Sequence, residues 1–161
     1  TDMVSDGSTA YNIMGDWAVA EFDSRNKTFG KDYTAFALPG KEDVYGFLAD
    51  SFTLPTGTKN PEATKDWLRF VGSKDAQSTF NQIKGSIPAR TDVPPDGFNA
   101  YQQKAMKDFK EKKIVSSIAH GAAVPLAWSS EINTAMSKFH QDKNTDNFVS
   151  ALVAAHDKYA M

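Results

Sequence analysis

The sequence predicts an α/β fold with a helix-rich second half. Short apolar runs bounded by turn residues occur in the first third of the chain, at Ala10–Met14, Tyr33–Leu38 and Val44–Ala49, and read as strands. From Pro61 onward, apolar residues recur mainly at helical spacing. No internal repeat, low-complexity segment or clear linker divides the 161 residues, which are enough to form one domain with a core.

Each element has its own signal. Ala10 to Met14 is expected to be a buried strand, broken by Gly15. Asp16 to Ser24 suits a short helix with Asp16 as its N-terminal cap. The Tyr33–Leu38 strand stops at the turn dipeptide Pro39-Gly40, and Val44–Ala49 follows as an aromatic and aliphatic strand. Leu54 to Asn60 is a loop, and Asn60 can cap a helix that has Pro61 in its first position. Ala63, Trp67 and Phe70 share a face of that helix, with Trp67 expected in the core. Gly72-Ser73 ends it and caps the next, whose apolar face is Ala76, Phe80 and Ile83.

The prolines between Ile87 and Gly97 make a rigid connector. Tyr101, Ala105 and Phe109 mark a helix ending in the basic run Lys110 to Lys113, expected to be solvated and favourably placed at a helix C-terminus. Ile114 to Val124 reads as extended or irregular, with Gly121 and Pro125 as breakers. Trp128, Ile132, Ala135 and Phe139 mark the next helix. Asn144-Thr145 caps the last, where Phe148, Leu152, Ala155 and Tyr159 share a face.

Composition narrows the function. The net charge of −2 gives no general reason to expect nucleic acid or an anionic membrane as partner. With no cysteine, disulfides, thiolate metal sites and cysteine nucleophiles are excluded, and the composition suits an oxidising compartment. No run approaches a membrane span, and no charged-then-apolar signal segment opens the chain. The start, Thr1-Asp2-Met3-Val4 leading soon into Tyr11–Met14, suggests a processed or excised C-terminal part of something longer. Gly-rich phosphate loops and Gly-x-Ser-x-Gly are absent, and no two of His120, His140 and His156 have helical metal-site spacing. Carboxylates are plentiful, but none announces a catalytic pair. No catalytic residue, metal or cofactor is assigned.

Trp17, Asp50, Lys84 and His120 each lie close to a point where an apolar run stops, well placed to face a cleft. Together they offer one flat apolar face and several hydrogen-bonding arms. Sugars present a C–H face and a rim of hydroxyls, and charged hydrogen bonds to such groups contribute about 1.5–3 kcal/mol each. Each residue also has a structural alternative. Trp17 can be core, Asp50 can cap Ser51–Thr53, Lys84 suits a helix C-terminus, and His120 can satisfy a backbone carbonyl.

The ordered blocks Ala10–Ala18 (Ala-Tyr-Asn-Ile-Met-Gly-Asp-Trp-Ala), Phe52–Pro61 (Phe-Thr-Leu-Pro-Thr-Gly-Thr-Lys-Asn-Pro), Ala63–Phe70 and Lys84–Val93 (Lys-Gly-Ser-Ile-Pro-Ala-Arg-Thr-Asp-Val) make the whole chain resemble the C-terminal part of the sugar-binding proteins of bacterial ABC importers (solute-binding protein family 1). Its likeness is greatest to the glucose- and mannose-type monosaccharide binders. These have an Asp before Ser-Phe-Thr-Leu-Pro, a Lys before Gly-Ser-Ile-Pro and a His before Gly-Ala-Ala, here Asp50, Lys84 and His120.

The resemblance implies that these three bind sugar hydroxyls and that Trp17 packs on the ligand. Trp128, near an aromatic of the oligosaccharide branch, is a weaker candidate that otherwise packs under its helix. It implies the C-terminal lobe of a two-lobed periplasmic-binding-protein-like (type II) fold over 1–161. The lobe core is then roughly 1–112, and 113–161 holds returning helices expected to pack on an N-terminal lobe absent here. The implied function is capture of a monosaccharide, glucose above all, in the periplasm or another extracytoplasmic space, and delivery to an ABC transporter permease. The N-terminal lobe is then a partner, in the same protein or as a separate chain. Two alternatives stand beside this: a fragment of a carbohydrate-active hydrolase, and an excised lobe with no binding of its own.

Overall fold

The computed structural model describes residues 1–160. The chain is helix-rich α/β, with seven helices and two strands among the described residues. It divides into two compact units. The first comprises 1–45 and 49–113, the second 46–48 and 114–161.

The first unit holds α1 (Asp2–Ser5), α2 (Ala18–Asp23), α3 (Pro61–Val71), α4 (Lys74–Lys84) and α5 (Ala100–Glu111). Its core gathers Val93, Phe98 and Met106, with Ile87 against them. Local signals set the helix ends. Ser73 caps α4 by accepting from the Ala76 N–H at 3.3 Å. Asn99 and Gln102 form a reciprocal capping box at the start of α5. Gln102 is buried, and its amide also donates to the carbonyls of Asn81 at 2.8 Å and Ser86 at 2.9 Å, fastening α5 to the end of α4. Gly85 closes α4 at φ 81°, and a Cβ there would lie 2.7 Å from the Ala20 backbone nitrogen. Only glycine fits this turn, because the chain leaving α4 presses on α2.

The second unit is dominated by α6 (Leu126–Asp142) and α7 (Thr145–Tyr159). Lys143 turns the chain at φ 54°, and Asn144 caps α7 by accepting from the Asn147 N–H at 3.0 Å. Buried Ala135 and Ala155 mark the packed faces, where small side chains suit close approach of helices. Phe139 stacks on Phe148 with ring centroids 4.9 Å apart. Glu131 accepts from Lys158 at 2.7 Å and from the Tyr159 hydroxyl at 2.8 Å.

The strands β1 (Val44–Phe47) and β2 (Lys113–Ser116) form a two-stranded sheet. Lys113 N–H donates to the Asp43 carbonyl and Ser117 N–H to the Phe47 carbonyl, both at 3.1 Å. The constant offset between partners makes the pair parallel.

Several expectations are corrected. Ala10–Met14 is not a buried strand: it is irregular, with Tyr11, Ile13 and Met14 exposed. Tyr33–Leu38 contributes one isolated bridge, Phe29 to Tyr33, and Phe36 and Leu38 are exposed. A strand persists only where its N–H and C=O groups find a partner, and the described residues pair neither run into a sheet. Trp67 is not core either: it is 47% exposed, and Phe70, Phe80 and Ile83 are also exposed. The helical pattern there is correct, but the described residues cover that face only in part.

Candidate functional site

In the first unit, Trp17 occupies the N-cap position of α2, and its indole folds back over Gly15. A methyl group at position 15 would collide with the six-membered ring of that indole, so the glycine makes room for it. Asp16 does not cap α2 with its side chain. Its carboxylate accepts from the Tyr45 hydroxyl at 2.9 Å and from the Tyr101 hydroxyl. Burial and then the Asp16 charge push both phenols well above the ordinary tyrosine range, so they stay protonated donors. Around them, Phe29 meets Tyr33 and Tyr101 edge-on, Phe22 stacks on Tyr33 at 4.1 Å, and Tyr45 meets Phe109. Tyrosine hydroxyls seeking a buried partner are the missed signal. The sequence pattern gave Tyr101 only an apolar face.

Lys84 is the last residue of α4, and its ammonium pairs with the exposed carboxylate of Asp50. The same ammonium sits 5.7 Å from the Phe80 ring centroid. Phe80 is in turn edge-on to Phe52, which meets Trp67 with ring centroids 5.0 Å apart. Thus Asp50 and Lys84 converge directly. Trp17 enters α2, the helix that Gly85, next to Lys84, presses against at Ala20. Two charged arms and a flat indole on neighbouring segments are chemically suited to a polar ligand with an apolar face.

The second unit carries His120 and Trp128. His120 is exposed, and its ring Nδ1 lies 2.7 Å from the Ser117 hydroxyl, within a turn in which the His120 N–H also donates to that oxygen. Trp128 stands at the start of α6, half-buried against α7, edge-on to His156 and stacked on Tyr159 with centroids 6.2 Å apart. These contacts match the helix-packing alternative for Trp128. Among the described residues, no group of histidines and carboxylates is arranged to hold a metal ion.

Residues 1–108 match the family model described as bacterial extracellular solute-binding protein, and the chain belongs to that family. Among curated relatives, it is 37% identical over 158 residues to an uncharacterized ABC transporter extracellular-binding protein of Pyrococcus horikoshii, covering 97% of this chain and 35% of that protein. It is 35% identical over 164 residues to a "Probable sugar-binding periplasmic protein" of Mesorhizobium japonicum, covering 98% of this chain and 39% of that protein. It is also 34% identical over 157 residues to a xylose/arabinose-binding protein of Haloferax volcanii, covering 94% of this chain and 34% of that protein. The chain therefore spans little more than a third of the length of these relatives.

Proposed function

We propose that this chain is the C-terminal part of a glucose- or mannose-type binding protein, which captures a monosaccharide outside the cytoplasm and delivers it to an ABC transporter permease. The convergence of Asp50 and Lys84 at the end of α4 carries the reading. It provides an acceptor and a donor for adjacent hydroxyls, on a segment packed against the helix that follows Trp17. The relatives named as sugar-binding or xylose/arabinose-binding proteins support a sugar as the ligand class. Names that place relatives outside the cytoplasm support an extracytoplasmic site of action. His120 enters through its Ala-His-Gly-Ala-Ala setting, and Trp128 as a subsidiary contact. The role is that of a receptor: binding and release, with no bond made or broken in the sugar.

In this reading, residues 1–112 form the lobe core, and 113–161 return to pack on an N-terminal lobe. The exposed Tyr11, Ile13, Met14, Phe36 and Leu38 of the first unit support the existence of further covering chain. Leu126, Met136, Val149 and Val153, exposed on α6 and α7, support it for the second.

Titration calorimetry tests the proposal. Glucose, mannose, xylose and arabinose are titrated into this chain and into the full-length protein that contains it. The full-length protein is expected to bind glucose or mannose at roughly micromolar Kd, about −8 kcal/mol, and this chain alone at millimolar Kd or not at all. Micromolar binding by this chain alone would sink the two-lobe account. A preference for the pentoses would replace the hexose assignment, and hydrolysis of glucosides by the protein would favour the enzyme alternative.

A further inference from the structure

We infer that Asp16 is a positioning residue for Trp17: its carboxylate, held by the hydroxyls of Tyr45 and Tyr101, fixes the corner from which the indole projects. For its consequence in binding, this rests on the reading of Trp17 as the sugar-stacking residue. The inference itself concerns only where the indole is held.

The geometry of the corner is the argument. Gly15, Asp16 and Trp17 form a tight turn into α2, closed by Ala18 N–H on the Gly15 carbonyl at 3.1 Å and Val19 N–H on the Asp16 carbonyl at 3.0 Å. These bonds shape the turn but do not tie it to the rest of the unit. The side chain of Asp16 adds, to the packing of α2 itself, a direct tie from the corner to two distant elements. Its two oxygens reach two different partners, Oδ2 the Tyr45 hydroxyl and Oδ1 the Tyr101 hydroxyl. The partners lie 29 and 85 positions away, on β1 and α5. Two bonds from separate elements to one planar group restrict its rotation as well as its position.

The tyrosines are themselves fixed. Tyr101 packs against Phe29, and Tyr45 against Phe109, so the hydroxyls arrive from ring stems that cannot swing freely. One residue on, the Trp17 indole lies over Gly15 with no room for a methyl group there. Because Asp16 sits between Gly15 and Trp17, any rotation of the corner moves the indole. Each oxygen of the Asp16 carboxylate already accepts from a phenol of the fold itself, which separates its role from that of a hydroxyl-gripping arm. A stacking surface useful to a sugar must be preformed, because ordering it on binding subtracts from affinity.

The test follows Trp17 directly. The protein is labelled with 5-fluorotryptophan, and the three ¹⁹F resonances are assigned with Trp67→Phe and Trp128→Phe. Tyr45→Phe, Tyr101→Phe and the double variant are compared with Asp23→Ala. The control variant removes another tie, the bond from the Asn99 side-chain amide to Asp23 at 3.2 Å. The double variant is expected to shift and broaden the Trp17 resonance while leaving those of Trp67 and Trp128 in place. The control is expected to lower the melting temperature without moving Trp17. Each single variant retains one phenol and gives the same response at smaller size, which keeps the test alive if the double variant fails to fold.

An unmoved Trp17 resonance, or an equal movement in Asp23→Ala, overturns the inference. In the full-length protein, each lost phenol bond is expected to weaken glucose binding roughly three- to tenfold. If Trp17 moves and glucose affinity does not change, the positioning stands and the sugar-stacking role of Trp17 falls.

Discussion

Lys84 and Asp50, 34 positions apart, neutralise each other at the end of α4. Their pairing means that a ligand entering here does not meet two free charges. On the proposed reading, a sugar would insert its hydroxyls into an ion pair already made, exchanging one strong contact for several. Because the pair is substantially exposed, its own contribution to stability is small.

Removal of the carboxylate should therefore be felt in binding rather than in folding. In the full-length protein, Asp50→Ala is expected to weaken glucose binding by about 1.5–3 kcal/mol, roughly ten- to 150-fold. Lys84→Met should fall in the same range, with little change in melting temperature for either. Trp128→Ala should reverse the pattern, with stability down by about 2–4 kcal/mol and the affinity of the folded fraction near normal. Calorimetry and thermal unfolding on the same variants decide the matter. Glucose binding by Asp50→Ala at the parental level removes Asp50 from the site.

Gly85→Ala should destabilise the first unit by about 2–4 kcal/mol, combining the left-handed backbone conformation with the collision against Ala20. Gly40 shares the positive φ, at 77°, but faces open space. Its alanine variant should cost only about 1 kcal/mol. Urea unfolding of the two variants side by side checks the comparison, and equal losses would show that the contact with α2 is not tight.

Gln102→Leu has nearly the right volume but leaves the carbonyls of Asn81 and Ser86 and the N–H of Asn99 without their partner. A loss of about 2–4 kcal/mol is expected. Chemical denaturation gives the number, and amide hydrogen exchange should show the loss concentrated at the start of α5 and the end of α4. A neutral outcome would mean that water replaces the side chain without cost.

The tyrosines set an alkaline limit. Burial, followed by the charge of Asp23, pushes Tyr33 up to about 12, and Tyr45 and Tyr101 are raised as well. A phenol whose folded pKa exceeds its unfolded value of about 10 stabilises the fold fully below pH 10, and that contribution is lost as pH rises through the folded value. Phenolate absorbance near 295 nm from Tyr33, Tyr45 and Tyr101 should thus rise only well above pH 10, together with unfolding. Wild-type absorbance near pH 10 that exceeds that of the Tyr45→Phe and Tyr101→Phe variants by an ordinary phenol's share each would show that the Asp16 cluster is open to water.

Local signals were the legible part of the sequence. Ser73 and Asn144 cap the helices they precede, Pro61 opens α3, and the helix-rich second half is present. Such features depend on residues within one turn of each other. Ala10–Met14 and Tyr33–Leu38 carry a strand-like pattern without joining a sheet among the described residues, because strand formation depends on a neighbour that periodicity cannot display. Asp16 reads as a helix cap in its own neighbourhood, and only the approach of Tyr45 and Tyr101 from distant elements redirects it. The sequence drew attention to Asp50 and Lys84 singly, but nothing in either neighbourhood announced that they meet.

The parallel pairing of β1 with β2 has a practical consequence for dissecting this chain. Gly46–Leu48 belongs to the same unit as 114–161, although a long stretch of the other unit lies between them in sequence. A gene fragment beginning at Ile114 would encode both long helices but omit the strand that satisfies Ile114–Ser116. Those residues would present bare edge groups, and self-association would be the expected fate of the product. Grafting Val44–Leu48 upstream through a flexible tether is the remedy, and recovery of a monomeric fragment would show that β1 can satisfy β2 without the chain that separates them in sequence.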